Sequence, residues 1–314
     1  MNYHSANLPK MDVPFPALTS EQRLHFEIYG YVVVNDVFTQ AECADLINVL
    51  KELKEDLKEA GYPISFTAKE EDKVRGAGVN NFEDPDQYLL LADIEQAHHL
   101  ITSYMTHPRL LGMNAEVIGG EIRLVEANAV INKRLPNWTE NKPKSNFHRG
   151  VDSPYGSHYR NGLFHSCFSK TLTNLTDLGP DDGGTIVIAG SHKLDVPVSQ
   201  MVECARKDPS LIHQVIAPAG STLLFAESLI HDGGEIRSDK ERVNIIGGYA
   251  SSHMPYWGDG KWTQDFCDSI PDNLKILFHG RQNWSRSPKE RPELMAENDS
   301  RSFALGDWQN RASV

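Results

Sequence analysis

Leu46, Leu50, Leu53 and Leu57 recur at steps of three and four residues, a spacing that predicts a long amphipathic helix with its apolar stripe against a core. Thr39 with Glu42 opens that helix as a capping box, and Gly61 stops it. A shorter helix is predicted in "LTSEQRLHFEIYG", between the Thr19–Gln22 capping box and Gly30. "YVVVNDVF" between the two is β-rich, residues 62–86 read as loop, and 87–118 read as one or two helices interrupted near Pro108. From Gly119 the pattern changes to short β segments: "EIRLVEANAVIN", "FHSCFSKTLTNLTD", "GTIVIAGSH", "HQVIAPAGSTLLFA" and "RVNIIGGYASSH". "STLLFAESLIH" reads as one apolar strand ending in His231. Short strands separated by Gly, Pro and Asp turns predict a double-sheet jelly roll or barrel. The expected organisation is a single domain over 1–314. It has a mainly helical N-terminal layer (1–118), a jelly-roll core (119–257) and irregular covering segments (258–314).

Composition narrows the class. Hydrophobic residues at 39% and charged residues at 24% suit a soluble chain with a sizeable core. A net charge of −12 speaks against a nucleic-acid polymer as partner, because that needs a basic face. Cys43, Cys167, Cys204 and Cys267 show no CxxC spacing and read as free thiols in a reducing compartment. The opening "MNYHSANLPKMDVPFPALT" lacks a basic segment followed by an apolar run, and no apolar stretch has membrane-spanning length. A cytoplasmic protein with no membrane partner is expected.

Of thirteen histidines, the informative ones sit on the predicted β core. His148 follows a strand and a loop, and His231 ends an apolar strand. Arg242 opens the next strand eleven residues later. Alone, two histidines on separate strands could bind zinc, iron or nothing. The context adds to them. "LTSEQRLHFEIYGYVVVNDVFTQAEC", "AVINKRLPN", "LTNLTDLGPDDGGTIVIAGSHK" and the His231–Arg242 spacing, in that order, resemble the phytanoyl-CoA dioxygenase family across roughly residues 19–255. The resemblance implies an enzyme with a double-stranded β-helix core of the jelly-roll, cupin-like kind, dependent on iron(II), 2-oxoglutarate and dioxygen. A facial triad of two histidines and a carboxylate leaves three iron positions open. Oxidative decarboxylation of 2-oxoglutarate to succinate then drives hydrogen removal from an unactivated carbon of a small molecule. By position, His148 and His231 are implied as metal ligands. Arg242, whose planar fork suits a carboxylate, is the implied cosubstrate anchor, with Asn132 and Thr173 as further contacts. His192 in "AGSHK" is assigned a structural role near a turn.

The departure from the family lies in "SNFHRGVDSPYG", where the usual His-x-Asp reads His148-Arg149-Gly150. Three explanations stay open. Asp152, His158 or His165 could fill the missing position through an altered loop. The site could be inactive and the protein a binding or scaffolding jelly roll. Or the glycine leaves room for a halide, as in aliphatic halogenases of this class, with chloride as iron ligand at Gly150. Halogenation is the leading expectation and hydroxylation the next. A second expectation concerns charge. Lys133, Arg134, Lys142, Lys144, Arg149, Arg160 and Lys170 are opposed only by Glu140 and Asp152. Either this is a solvated loop, or Arg149 and Arg160 draw a carboxylate- or phosphate-bearing substrate to the metal.

Overall fold

Two capping boxes set the first helices. The computed structural model describes residues 18–62, 74–82, 84–134, 146–152, 156–160, 162–256, 262–271 and 274–280. Helix α1 (Ser20–Tyr29) and helix α2 (Gln40–Glu59) each begin with the threonine side chain accepting from the third backbone N–H and the third side chain accepting in return. Gly30 ends α1 in the left-handed region at φ 82°, where a Cβ would stand 2.5 Å from the buried His192 ring. On α2 the leucine stripe is buried as the spacing predicts, and Ala60 is the cap, just ahead of Gly61. Helices α3 (His99–Met105) and α4 (Pro108–Ile118) divide at Pro108, which starts the second.

Twelve strands follow in chain order: β1 (Tyr31–Val34), β2 (Gly78–Phe82), β3 (Tyr88–Ala92), β4 (Ile122–Asn132), β5 (Ser157–Arg160), β6 (Leu163–Ser166), β7 (Phe168–Asn174), β8 (Ile186–Ile188), β9 (Ile212–Gln214), β10 (Thr222–Ala226), β11 (His231–Asp232) and β12 (Arg242–Ser251). An antiparallel seven-stranded sheet runs β1-β10-β7-β12-β4-β3-β2, a smaller sheet runs β11-β8-β9, and β5 and β6 form a hairpin. Helix α5 (Val198–Lys207) packs beside β8. Two short helices, α6 (Gln264–Ser269) and α7 (Lys275–His279), lie in the expected covering region. The architecture is the jelly roll with flanking helices that the strand pattern predicts.

Three elements differ from expectation. Tyr88–Ala92 is a strand rather than the start of a helix, because a five-residue apolar run is ambiguous until β4 pairs with it. Gly78–Phe82 is also a strand, although "GVNNF" has little β propensity, because β3 supplies its register. With β1–β3 in the large sheet, residue 118 does not separate a helical layer from a β core. Finally, β10 stops at Ala226. A turn over 227–230 intervenes, with Leu229 N–H donating to Ala226 O, before the chain resumes as β11 at His231.

Alternation along the large sheet gives it two unlike faces. Val32, Leu89, Ile131, Leu224, Val243 and Ile245 face the helices and merge with their leucines into one apolar core. On the opposite side Leu172, Leu223 and Phe225 pack with Val187, Val215 and Leu229 against the small sheet. That face also carries a polar group, with Arg242, Asn132, Asn174 and Asn244 among its residues.

Candidate metal and cosubstrate centre

Backbone pairing creates the histidine pair. His148 and His231 form an isolated antiparallel bridge, each N–H donating to the other's carbonyl at 3.0 and 2.9 Å. Directly opposed residues project to the same side, and their rings lie 4.4 Å apart between centroids. Each Nδ1 is bonded to a carbonyl two residues upstream, His148 to Asn146 O at 2.7 Å and His231 to Leu229 O at 2.8 Å. A carbonyl only accepts, so each Nδ1 carries the proton and His231, when neutral, keeps its lone pair on Nε2. Burial, then His148 and Lys170, pushes His231 down to about 3, so it is neutral under ordinary conditions. A neutral imidazole oriented through its second nitrogen is what a metal ligand requires. These two residues fit an iron(II) ion, and Phe225 closes one side at 4.6 Å from the His231 ring.

Arg242 begins β12 opposite Asn132, the last residue of β4, which also pairs with Tyr88. Arg242 is 6% exposed and its guanidinium reaches Thr185 Oγ1, just ahead of β8, at 3.4 Å. Thr185 stands two residues before Val187, the partner of His231, so one short segment touches both the arginine and the histidine strand. Burial pushes Arg242 down to about 10, which leaves it charged at neutral pH. It has no carboxylate partner among the described residues, and its Nε has none of any kind. Asn132 Oδ1, Asn174 Nδ2 and Asn244 Oδ1 are also buried without a partner. By strand alternation these three amides share the inner face with Arg242. A buried charge and three unpaired amides are costly unless a polar ligand meets them. A dicarboxylate suits that cradle.

The other expected contacts fall elsewhere. Thr173 is on the helix-facing side, one residue out of phase, and its hydroxyl is engaged by Tyr104 and Thr222 at 2.7 Å each. Asn174, its neighbour, holds the inward position. Arg149 turns away from the histidine pair to donate to Leu194 O and Val196 O, clamping the loop after the Gly-Ser-His-Lys turn. His192 packs between Phe26 and Phe164, and burial, then Lys193, pushes it down to about 3, in keeping with a structural role. Asp152 is exposed. His158 and His165 stack on each other at 5.1 Å across the β5–β6 hairpin. Neither they nor Asp152 joins the histidine pair in a metal-binding group. In the basic segment, Lys133 pairs with Glu241, Arg134 with Asp239, and Lys170 with Glu126 and Glu227. Lys142, Lys144, Glu140 and the side chain of Arg160 lie outside the described residues. Of the described basic residues, Lys133, Arg134 and Lys170 are thus matched by carboxylates, while Arg149 meets only backbone carbonyls.

Gly150 gives the most informative result. Its N–H donates to Glu227 O at 3.0 Å, and a Cβ built on it would stand 2.1 Å from Glu227 Oε1. The Glu227 carboxylate thus occupies the space where a side chain at residue 150 would begin. Glu227 is 2% exposed, its Oε1 lies 3.1 Å from Lys170 Nζ, and its Oε2 has no partner. Lys170 continues to Glu126 Oε2 at 3.0 Å. Burial opposes the charge on Lys170, but Glu227 and then Glu126 outweigh it and hold the amine above the ordinary lysine value. The sequence signal for Glu227 was a charged residue inside an apolar run, four positions before His231.

Comparison with known proteins gives the family and the fold. The family model described as phytanoyl-CoA dioxygenase (PhyH) matches residues 26–244. HygX from Streptomyces hygroscopicus, solved with nickel and 2-oxoglutarate bound, is similar over 77% of this chain and 90% of its own. The identity is 21% and the TM-score 0.59. SnoN, a non-haem α-ketoglutarate-dependent epimerase from nogalamycin biosynthesis, is similar over 74% of this chain and 82% of its own, at 17% identity and TM-score 0.51. SnoK, a carbocyclase of the same kind and pathway, covers 79% and 86% at 16% identity and TM-score 0.51. At these identities the likeness is one of fold. No curated protein matches the chain in sequence.

Proposed function

The chain belongs to the phytanoyl-CoA dioxygenase family of iron(II)- and 2-oxoglutarate-dependent oxygenases, and on that premise we propose that it oxidises a C–H bond of a small organic molecule, with hydroxylation as the outcome. When bound, iron(II) and 2-oxoglutarate supply the oxidising chemistry, with succinate and carbon dioxide as coproducts. His148 and His231 hold the metal through Nε2. Arg242 binds the far carboxylate of 2-oxoglutarate, with Asn132, Asn174 and Asn244 pairing to the remaining polar atoms. Arg242 is itself buried, and exclusion of water strengthens a guanidinium–carboxylate contact. The observation that carries the reading is the neutral, carbonyl-anchored His231 beside His148, facing an arginine with no carboxylate of its own.

Halogenation, the outcome that Gly150 by itself favours, loses its main support at Glu227. A halide seated beside Gly150 meets a buried carboxylate there. The two anions would compete for the same space beside Gly150 and for the same metal charge. The basic segment adds little to the case for an anionic substrate, since Lys133, Arg134 and Lys170 are paired to carboxylates and Arg149 is held by two carbonyls. No helix among the described residues is long and apolar enough to cross a membrane.

The test is an anaerobic titration with iron(II), then 2-oxoglutarate, followed by the charge-transfer absorption of the complex. The expected results are a band that needs both additions, its loss in R242A, and no change on adding chloride. Succinate should form on admitting air. A band that shifts with chloride would return the assignment to halogenation, and no band at all would leave the binding-protein alternative.

A further inference from the structure

We propose that Glu227 is the third protein ligand of the metal, a carboxylate moved from the loop at residue 150 to the strand end that leads into His231. The inference rests on the iron reading above and concerns how the triad is completed.

Three features support it. The first is place. The usual carboxylate would leave the backbone at residue 150, on the same side as His148, and Glu227 Oε1 lies 2.1 Å from where that side chain's Cβ would be. The second is the unused oxygen. Oε1 is taken by Lys170, while Oε2 is buried and unpaired. A carboxylate with one oxygen held by a cation and the other free is oriented for one-point coordination, as carboxylate ligands with an outer hydrogen bond are. The third is the backbone. β10 breaks at Ala226, and the turn over 227–230 separates Glu227 from His231. Gly150 N–H and His148 N–H donate to Glu227 O and His231 O, so one short segment bonds to both parts of the His148 loop. With Glu227 in this position, a side chain at residue 150 would have to displace the glutamate, which glycine avoids.

As placed, Glu227 leans on Lys170, and no three His, Cys, Asp or Glu side chains among the described residues already converge on one point. Coordination therefore requires the carboxylate to rotate toward the imidazoles while keeping its contact with Lys170. Charge permits this: Lys170 balances one of its two carboxylates, and a divalent metal balances the other.

The experiment is anaerobic calorimetric titration of iron(II), with cobalt(II) absorption as a reporter of ligand set, into wild type, E227Q and the exchange variant E227A/G150D. E227Q should weaken metal binding by at least the roughly 10–100-fold typical of losing an outer contact, and should change the cobalt spectrum. E227A/G150D, which returns the carboxylate to residue 150 and removes the clash, should regain affinity and a wild-type-like spectrum. It also supplies the answer if E227Q alone folds poorly. Unchanged metal affinity and spectrum in E227Q, or no recovery in a folded exchange variant, overturns the assignment. Absence of metal binding by wild type overturns the iron reading with it. Normal metal binding without 2-oxoglutarate binding sinks the function proposed above and leaves the Glu227 result to stand by itself.

Discussion

The helix-facing and inner faces of the seven-stranded sheet are built from the same strands, one residue out of phase, yet they are opposites in chemistry. On the outer face Ile245, Leu224 and Ile131 are fully or almost fully buried among helix leucines, and Thr173 bonds both Tyr104 and Thr222. On the inner face Arg242, Asn132, Asn174 and Asn244 each keep an atom without a partner. The outer face is optimised for folding. The inner face carries unmet polar groups that burial penalises, a pattern that belongs to function. Where the same register serves both, mutations one residue apart should separate stability from binding.

The largest effect should come from H231A, which removes an imidazole from the pair. Metal affinity should fall by three orders of magnitude or more, roughly 4 kcal/mol, with the melting temperature of the metal-free protein little changed. L224A is the contrasting outer-face change and should cost about 2–5 kcal/mol of stability through an unfilled core volume. Its metal and 2-oxoglutarate affinities, measured below its melting temperature, should equal those of wild type. A binding loss there would mean that the two faces are mechanically coupled. R242A should weaken 2-oxoglutarate binding about 100-fold, near 2.7 kcal/mol, while unfolding experiments find the protein as stable as wild type or more so, because an unpaired buried cation is gone. R242K should rescue little, since an ammonium lacks the two-point fork. The smallest effect should be Y104F. Losing the hydroxyl that bonds Thr173 should cost about 1 kcal/mol of stability and leave 2-oxoglutarate affinity intact. A large affinity loss in Y104F would restore Thr173 to the cosubstrate site.

How far the sequence could be read follows from how local each signal was. The capping boxes at Thr19 and Thr39 involve residues three apart and survive unchanged in the structure. His148, His231 and Arg242 were marked by their order, and the fold brings the two histidines together through one backbone bridge. Thr173 failed by a single position. "SKTLTN" places polar residues on both faces, so its alternation cannot say which side is inside until pairing with β10 and β12 fixes it. The contacts of Arg149 were not legible, because its partners, the carbonyls of Leu194 and Val196, belong to a distant loop. Glu227 carries only a weak sequence signal, for the same reason. In the chain it interrupts an apolar strand, and its meaning arises only from the approach of Gly150, 77 residues earlier.

The unpaired atoms of the inner face have a thermodynamic consequence. A buried donor or acceptor without a partner costs about 1–3 kcal/mol, so the fold sits below the stability that its packing alone would give. Any compound that satisfies those atoms acts as a folding ligand, adding about 2.7 kcal/mol at a hundred times its dissociation constant. Melting curves can therefore serve as a search for the substrate. With nickel in place of iron to prevent turnover, 2-oxoglutarate should raise the melting temperature first. The true substrate should raise it again, only once that cradle is filled.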